Sequence, residues 1–188
     1  FVQKPKVSIT LIKSKKFEDQ IKLANASFIY HANSQFFILH HKEKMHHYFA
    51  YGSNMSARRI RHRLGWAPSR IATVLPDYLL TFDKQSSDGG KANIRFSSGN
   101  KVEGVLYFVR EQDLLVLDEY EGVAEEQYER QELEVQDRAG HRMPAIAYIA
   151  LNTGPEFRPT REYLNYMLEG EHLLSPEYVT RLEEVATL

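Results

Sequence analysis

A short segment, Tyr48–Met55, most strongly limits what this 188-residue chain can fold into. An aromatic run over His46–Ala50 has the composition of a β-strand, and it stops at Gly52-Ser53-Asn54. A pattern typical of a helix N-terminus begins near Ser56. The order of strand, tight turn and helix leaves several backbone amides pointing the same way, which favours a carboxylate or an oxyanion. The turn therefore predicts an anion site, although the same three residues are also ordinary turn and capping residues.

A second segment, Glu111–Glu121, predicts a helix that ends at a carboxylate. Leu114 and Leu117 recur at helical spacing, and Glu121 continues their stripe on the side of the core. Gly122 follows as a helix C-cap, so Glu121 meets the negative end of the helix dipole in apolar surroundings. Both effects disfavour the ionised carboxylate, and they predict a group that exchanges protons near neutral pH. The alternative is an acidic helix end lying in water.

The carboxylates beside Glu121 are expected to behave differently from it. Glu119 is predicted to face solvent. Asp118, one turn before Glu121, is predicted to be partly buried and to act on Glu121 through like-charge repulsion.

Together the two segments resemble the gamma-glutamylcyclotransferase family, which includes the AIG2-like proteins. The resemblance rests on Tyr51-Gly52-Ser53-Asn54 after a strand, Leu117–Gly122 after a helix, and the Gly89–Ile94 stretch between them. It extends from about Met45 to the C-terminus. It implies an α+β fold, in which a few helices flank a mixed, barrel-like β-sheet. It also implies that Glu121 is the catalytic acid and base. The substrate-binding residues that it implies are Tyr51, Gly52, Ser53, Asn54, Met55, Tyr128, Tyr148 and Tyr163.

The resemblance further implies an intramolecular acyl transfer on a small gamma-glutamyl substrate. The alpha-amine of the gamma-glutamyl group attacks its own side-chain amide, which forms 5-oxoproline and releases the attached amine or amino acid. No metal or cofactor is expected, and the implied enzyme is cytoplasmic and a monomer or homodimer. Two alternatives stay open: a specialised gamma-glutamylamine cyclotransferase or deprotecting acyltransferase of the same fold, and a non-catalytic glutamyl-binding module. A serine hydrolase that uses Ser53 is excluded, because the G-x-S-x-G pattern is absent.

Composition removes several other classes of protein. The chain has no cysteine, which excludes disulfides, thiol nucleophiles and zinc–thiolate sites and suits a reducing compartment. Its net charge of −1 gives no field that favours nucleic acid or a membrane surface, and no apolar run is long enough to span a membrane. Two adjacent histidine pairs lack the spacing of a metal site, so no metal is predicted: His40, His41, His46 and His47.

The first 44 residues differ sharply from the rest of the chain. They contain eight lysines, three acids and no arginine, whereas the remainder has three lysines and thirteen arginines. Their net charge is therefore +5, which leaves −6 for the remainder of a chain whose total is −1. We expect Met45 to be the true start and residues 45–188 to form the catalytic domain, with residues 1–44 a basic extension of translated upstream sequence that is not part of the native domain. The alternative is a native extension that binds the domain or an acidic partner.

Between and after the two segments, the pattern predicts short strands, a mobile loop over residues 86–90 and two final helices. Pro76-Asp77 and residues 97–100 are expected to separate strands, and the final helices to cover an open side of the sheet. The predicted strands are Ile71–Leu75, Tyr78–Phe82, Ala92–Phe96, Val102–Val109, Tyr128–Gln136 and Met143–Leu151, and the predicted final helices are Thr160–Leu168 and Ser175–Val185. The helix after Ser56 carries four arginines, which are interpreted as a solvated face. The alternative is that one of them assists an anionic substrate.

Overall fold

A computed structural model describes residues 44–188 of the chain. The predicted extension over residues 1–44 therefore lies outside the described residues, apart from Lys44. Within them the elements are β1 Met45–Ala50, α1 Ala57–Leu64, β2 Arg70–Ser86, β3 Gly89–Arg110, α2 Glu111–Glu121, β4 Tyr128–Asp137, β5 Arg142–Ala150, α3 Arg161–Leu168 and α4 Pro176–Glu183. Two single-turn 3₁₀ helices cover Ser53–Met55 and Glu171–Leu173.

The five strands close into a barrel in the order β1-β3-β2-β4-β5. Neighbouring strands in that order are antiparallel, and the barrel closes where β1 runs parallel to β5, with Tyr48 opposite Ile146. In β3, Val105 and Leu106 point to opposite faces and are both fully buried, as expected for a strand that is covered on both sides. The predicted α+β fold with a mixed, barrel-like sheet is confirmed.

Strands β2 and β3 form one long hairpin, so two predicted breaks are wrong. Pro76-Asp77 does not end a strand: β2 continues through a shift in pairing, and Asp77 takes a positive φ of 60°. The Asp77 carboxylate accepts a hydrogen bond from the Gly99 amide of β3 at 2.8 Å. This bond satisfies the Gly99 amide at the irregularity. It lets β2 continue past Pro76-Asp77 and β3 continue past residues 97–100. The loop predicted over residues 86–90 is a tight turn between Ser86 and Gly89.

Side-chain caps fix where the helices begin. Ser56, Thr160 and Ser175 each accept a hydrogen bond from the amide three residues later, and they start α1, α3 and α4. Such a cap contributes about 1 kcal/mol, because it satisfies an amide that has no partner within the helix. In α2, Leu114 and Leu117 are fully buried, which confirms the predicted apolar stripe.

The last helices do not cover an open side of the sheet, because the barrel is closed. Instead, α3 packs on the 3₁₀ turn Ser53–Met55, and Gly170 lies against Met55 just after α3. The C-terminal part of the chain thus packs on the turn that the sequence singled out.

Residues 44–188 contain no helix of the length and hydropathy needed to cross a membrane. They also bring together no group of three His, Cys, Asp or Glu side chains that could hold a metal ion. Of the paired histidines, His46 contacts Glu111 and His47 contacts the Pro144 carbonyl. The other pair, His40 and His41, lies outside the described residues.

Candidate active site

The turn after β1 leaves its first three amides without backbone bonds. Inside the turn, the Met55 amide donates to the Gly52 carbonyl at 2.9 Å, and the Ser56 amide donates to the Ser53 carbonyl at 3.3 Å. Within residues 44–188, the amides of Gly52, Ser53 and Asn54 make no backbone hydrogen bond. These are the donors that the sequence analysis assigned to an anion.

Gly52 lies where two neighbouring elements crowd the turn. A Cβ atom at this position would lie 3.0 Å from the Tyr163 hydroxyl and 3.2 Å from the Ala92 Cβ. The glycine therefore allows α3, which carries Tyr163, and β3, which carries Ala92, to approach the turn closely.

Glu121 is held at the end of α2 by donors from the turn and from α1. Gly122 adopts the left-handed conformation, with a φ of 65°, and ends the helix as predicted. Arg63 Nη1 and Asn54 Nδ2 both donate to Glu121 Oε1, at 2.8 Å and 3.0 Å. The side chains of Arg63 and Glu121 are only 7% and 17% exposed. The second oxygen, Oε2, accepts no hydrogen bond from residues 44–188, which leaves it available to a substrate.

Arg63 shows that the predicted solvated arginine face of α1 is wrong in part. Two of its four arginines are exposed, but Arg63 pairs with Glu121 and stacks over the Tyr120 ring at 4.5 Å, and Arg59 borders the cleft described below. The sequence did contain a signal for Arg63. Ile60 is the fully buried residue of α1, and residues three apart share one side of a helix. Arg63 therefore lies on the inward side of α1.

Asp118, one turn earlier on α2, has a different set of partners. Arg130 Nε donates to Asp118 Oδ1 at 2.6 Å, and Arg130 Nη2 donates to Oδ2 at 2.5 Å. The Tyr148 hydroxyl also donates to Oδ1, at 2.8 Å. Asp118 is partly buried, as predicted, and Arg130 is its direct charge partner.

Buried tyrosine hydroxyls surround the two carboxylates and keep their protons at neutral pH. Burial raises the pKa of the Tyr163 hydroxyl to about 12, although the amides of Ala92 and Ser53 act in the opposite direction. Burial likewise raises the pKa of four other hydroxyls, those of Tyr48, Tyr51, Tyr128 and Tyr148. A neutral hydroxyl can donate a hydrogen bond to a bound anion.

Hydrogen bonds from these tyrosines fix the walls of the site. The Tyr51 hydroxyl donates to the Tyr148 carbonyl, and the Tyr128 hydroxyl donates to the Ala92 carbonyl at 3.3 Å. Asn54 Nδ2 donates to the Tyr48 hydroxyl at 2.7 Å as well as to Glu121. The turn, the barrel and the end of α2 are thus joined directly.

These side chains surround an inner cavity of about 30 Å³, which adjoins a cleft of about 690 Å³. Every predicted site residue except Met55 lines the inner cavity. Ser53, Glu121, Tyr128 and Tyr163 border both spaces. Met55 is instead fully buried below the turn, where its carbonyl accepts a hydrogen bond from a tyrosine of the barrel.

Tyr48 and Ala92 also line the inner cavity, although the sequence analysis did not select them. Tyr48 belongs to the aromatic run of β1, where its chemistry resembles that of ordinary core residues. Ala92 carries no chemical group that sequence reasoning could have recognised. It contributes its amide and carbonyl, which bind Tyr163 and Tyr128.

The cavity combines a carboxylate, a paired arginine, backbone amides that make no backbone hydrogen bond within residues 44–188, and neutral hydroxyls. Such a carboxylate can take up and release a proton, because it lines the cavity and one of its oxygens accepts no hydrogen bond from residues 44–188. The amides of the turn and the hydroxyl of Tyr163 can stabilise a negative charge that develops beside them. The arrangement is therefore suited to acyl transfer with acid–base assistance.

Comparison with known proteins gives a consistent result. The sequence model of the AIG2-like family matches residues 101–182. Gamma-glutamylcyclotransferases from Homo sapiens and Mus musculus are each 32% identical to the chain over 148 residues, which cover 73% of this chain and 77% of theirs. A solved structure named gamma-glutamyl cyclotransferase superimposes with a TM-score of 0.73 at 28% identity, over 77% of this chain and 90% of that one. The chain therefore belongs to the gamma-glutamylcyclotransferase family and is a cyclotransferase enzyme.

Proposed function

We propose that this enzyme cyclises a gamma-glutamyl group to 5-oxoproline and releases the attached amine or amino acid, with Glu121 as the acid and base. One observation carries the proposal. The Glu121 side chain borders the same small cavity as the turn after β1, and Asn54 of that turn donates a hydrogen bond of 3.0 Å to Glu121 Oε1. The human and mouse relatives named above carry the name of this activity.

In the proposed reaction, the alpha-amine nitrogen of the substrate attacks its own Cδ carbonyl carbon. Glu121 Oε2 removes a proton from the amine as the new carbon–nitrogen bond forms. The protonated Glu121 then gives a proton to the leaving nitrogen, and the original amide bond breaks. The same carboxylate thus serves in both directions, and the reaction is balanced without a redox step.

The turn and the tyrosines have the complementary role of binding. The amides of Gly52, Ser53 and Asn54 hold either the alpha-carboxylate or the oxyanion that forms on the carbonyl, and the hydroxyl of Tyr163 faces them from α3. Holding a flexible glutamyl chain with its amine near its carbonyl also lowers the barrier, because the entropy of cyclisation is lost on binding.

The proposal is tested by incubating the protein with several gamma-glutamyl compounds and measuring 5-oxoproline. Glu121→Gln keeps the shape of the side chain and removes proton transfer, so we expect the rate to fall by about 10²- to 10⁴-fold. Glu132→Gln is the control, because Glu132 is exposed on β4 and should leave the rate unchanged. An active Glu121→Gln variant would rule out the acid–base role.

A further inference from the structure

The cleft beside the cavity holds more positive charge than its own carboxylates neutralise by direct contact. Four cations line it: Arg59, Arg63, Lys84 and Lys91. Two of them have carboxylate partners, since Arg63 pairs with Glu121 and Lys91 with Asp88 at 2.7 Å. Arg59 and Lys84 contact no carboxylate within residues 44–188. The remaining lining acids, Glu119 and Glu162, are exposed to solvent.

Arg59 is held in place but has no polar partner among residues 44–188. Its guanidinium lies over the Tyr166 ring, 4.7 Å from the centroid. Its Nε is buried and makes no hydrogen bond within the described residues. Because residues four apart are neighbours on a helix, Arg59 lies one turn from Arg63, which contacts Glu121. A fixed guanidinium with an unused donor is the group that binds a carboxylate best.

Lys84 presents a second positive charge from β2. It is only 7% exposed, and its Nζ donates to the uncharged Gln127 Oε1 at 2.6 Å. A buried ammonium without an anionic partner is unfavourable, so an anion bound in the cleft would stabilise it.

We propose that Arg59 and Lys84 form a subsite for a carboxylate carried by the leaving portion of the substrate. The inference rests on the proposed function, because it assumes that the gamma-glutamyl group occupies the inner cavity beside Glu121. Both cations line the outer cleft and neither lines the inner cavity. The subsite therefore recognises what is attached to the gamma-glutamyl group. The enzyme should favour gamma-glutamyl amino acids over gamma-glutamylamines, and Arg59 sets that preference.

A matched pair of compounds isolates this carboxylate. Gamma-glutamylalanine and gamma-glutamylethylamine differ only in the carboxylate of the leaving amine. Binding is measured by calorimetry in a Glu121→Gln background, where turnover is blocked, and turnover of the wild-type protein is measured separately. We expect the Glu121→Gln protein, the parent of the variants below, to bind gamma-glutamylalanine about 10- to 100-fold more tightly than gamma-glutamylethylamine. This is the usual contribution of a hydrogen bond to a charged group.

Adding Arg59→Gln should reduce that preference to within about threefold and leave the affinity for gamma-glutamylethylamine nearly unchanged. Lys84→Met should reduce the preference in the same direction. Arg58→Gln is the matched control, because Arg58 is a neighbouring arginine that pairs with Glu169, is 71% exposed and does not line the cleft. It should keep the full preference.

Each outcome decides the question. If Arg59→Gln weakened the binding of both compounds equally, the subsite would be overturned, because Arg59 would then bind the gamma-glutamyl group or stabilise the fold. A parent without preference, or one that binds neither compound, would overturn it as well. If the binding preference depends on Arg59 but the wild-type protein forms no 5-oxoproline, the subsite stands and the proposed reaction falls.

Discussion

Helix α2 carries two carboxylates one turn apart, and their surroundings differ. Asp118 accepts hydrogen bonds on both oxygens, from Arg130 and Tyr148, so neither oxygen lacks a protein donor. Glu121 lines a cavity and accepts two hydrogen bonds on one oxygen, whereas its other oxygen accepts none from residues 44–188. Both acids have an arginine, so a charge partner alone does not distinguish a structural acid from a reactive one. What distinguishes them is whether the fold uses the whole carboxylate.

The largest expected difference lies between amide substitutions at the two positions. Glu121→Gln should lower the rate of 5-oxoproline formation by about 10²- to 10⁴-fold, whereas Asp118→Asn should stay within about tenfold of the wild type. Asp118→Asn should instead lower the free energy of unfolding by about 1–2 kcal/mol, since it weakens the bonds to Arg130. Initial rates and urea unfolding measure the two effects. Similar rate losses for both variants would contradict the distinction.

Removing Arg63, the partner of Glu121, should lower the free energy of unfolding more than removing Arg130, the partner of Asp118. Arg63→Gln leaves Glu121 without its cation in a largely buried place, and we expect a loss of about 2–4 kcal/mol. Arg130→Gln should cost less, about 1–2 kcal/mol, because Tyr148 still donates to Asp118 and a quarter of the Asp118 side chain is exposed.

A double-mutant cycle checks the reason for that loss. Combining Arg63→Gln with Glu121→Gln removes both charges, so the double variant should be more stable than the sum of the single losses implies. Additive losses would show that Arg63 stabilises the fold by packing alone.

Alkaline unfolding tests whether burial keeps the Tyr163 hydroxyl protonated above the ordinary pKa of a tyrosine. The pKa of Tyr163 is about 12 in the folded protein, above the ordinary value of 10.0. Between these values the folded state binds more protons than the unfolded state, so stability falls as the pH rises. The free energy of unfolding should therefore fall less steeply with pH in the Tyr163→Phe variant. Above pH 10 the difference should be about 1.4 kcal/mol per pH unit, the contribution of this one hydroxyl. An unchanged slope would show that Tyr163 ionises normally.

The smallest effect is expected at the turn itself. Ser53→Ala removes a hydroxyl but keeps the backbone amide, so the rate should stay within about threefold of the wild type. A steady-state comparison beside Glu121→Gln measures this. An inactive Ser53→Ala variant would assign the hydroxyl, and not the amide, to the chemistry.

Local signals in the sequence predicted much of this site. Gly122 ends α2 as its position after the apolar stripe indicated, and Ser56, Thr160 and Ser175 cap the helices that they precede. These features depend on a few neighbouring residues, so a single sequence contains them.

Features that depend on distant residues were missed. Pro76-Asp77 has the composition of a turn, yet β2 continues because β3 supplies a partner for the irregularity. Arg63 was misjudged for a related reason: its partner Glu121 lies elsewhere in the chain. The closure of the barrel through Tyr48 and Ile146 carries no local signature either.

The contact between Gly52 and Tyr163 has a consequence for biosynthesis. The inner cavity takes its walls from β1 and from α3, and Tyr51 bonds across it to Tyr148, which lies 97 positions later. A ribosome must therefore translate the chain as far as α3 before the inner cavity can be complete. A nascent or prematurely terminated polypeptide that stops before α3 would lack one side of the pocket, so turnover reports on completed synthesis.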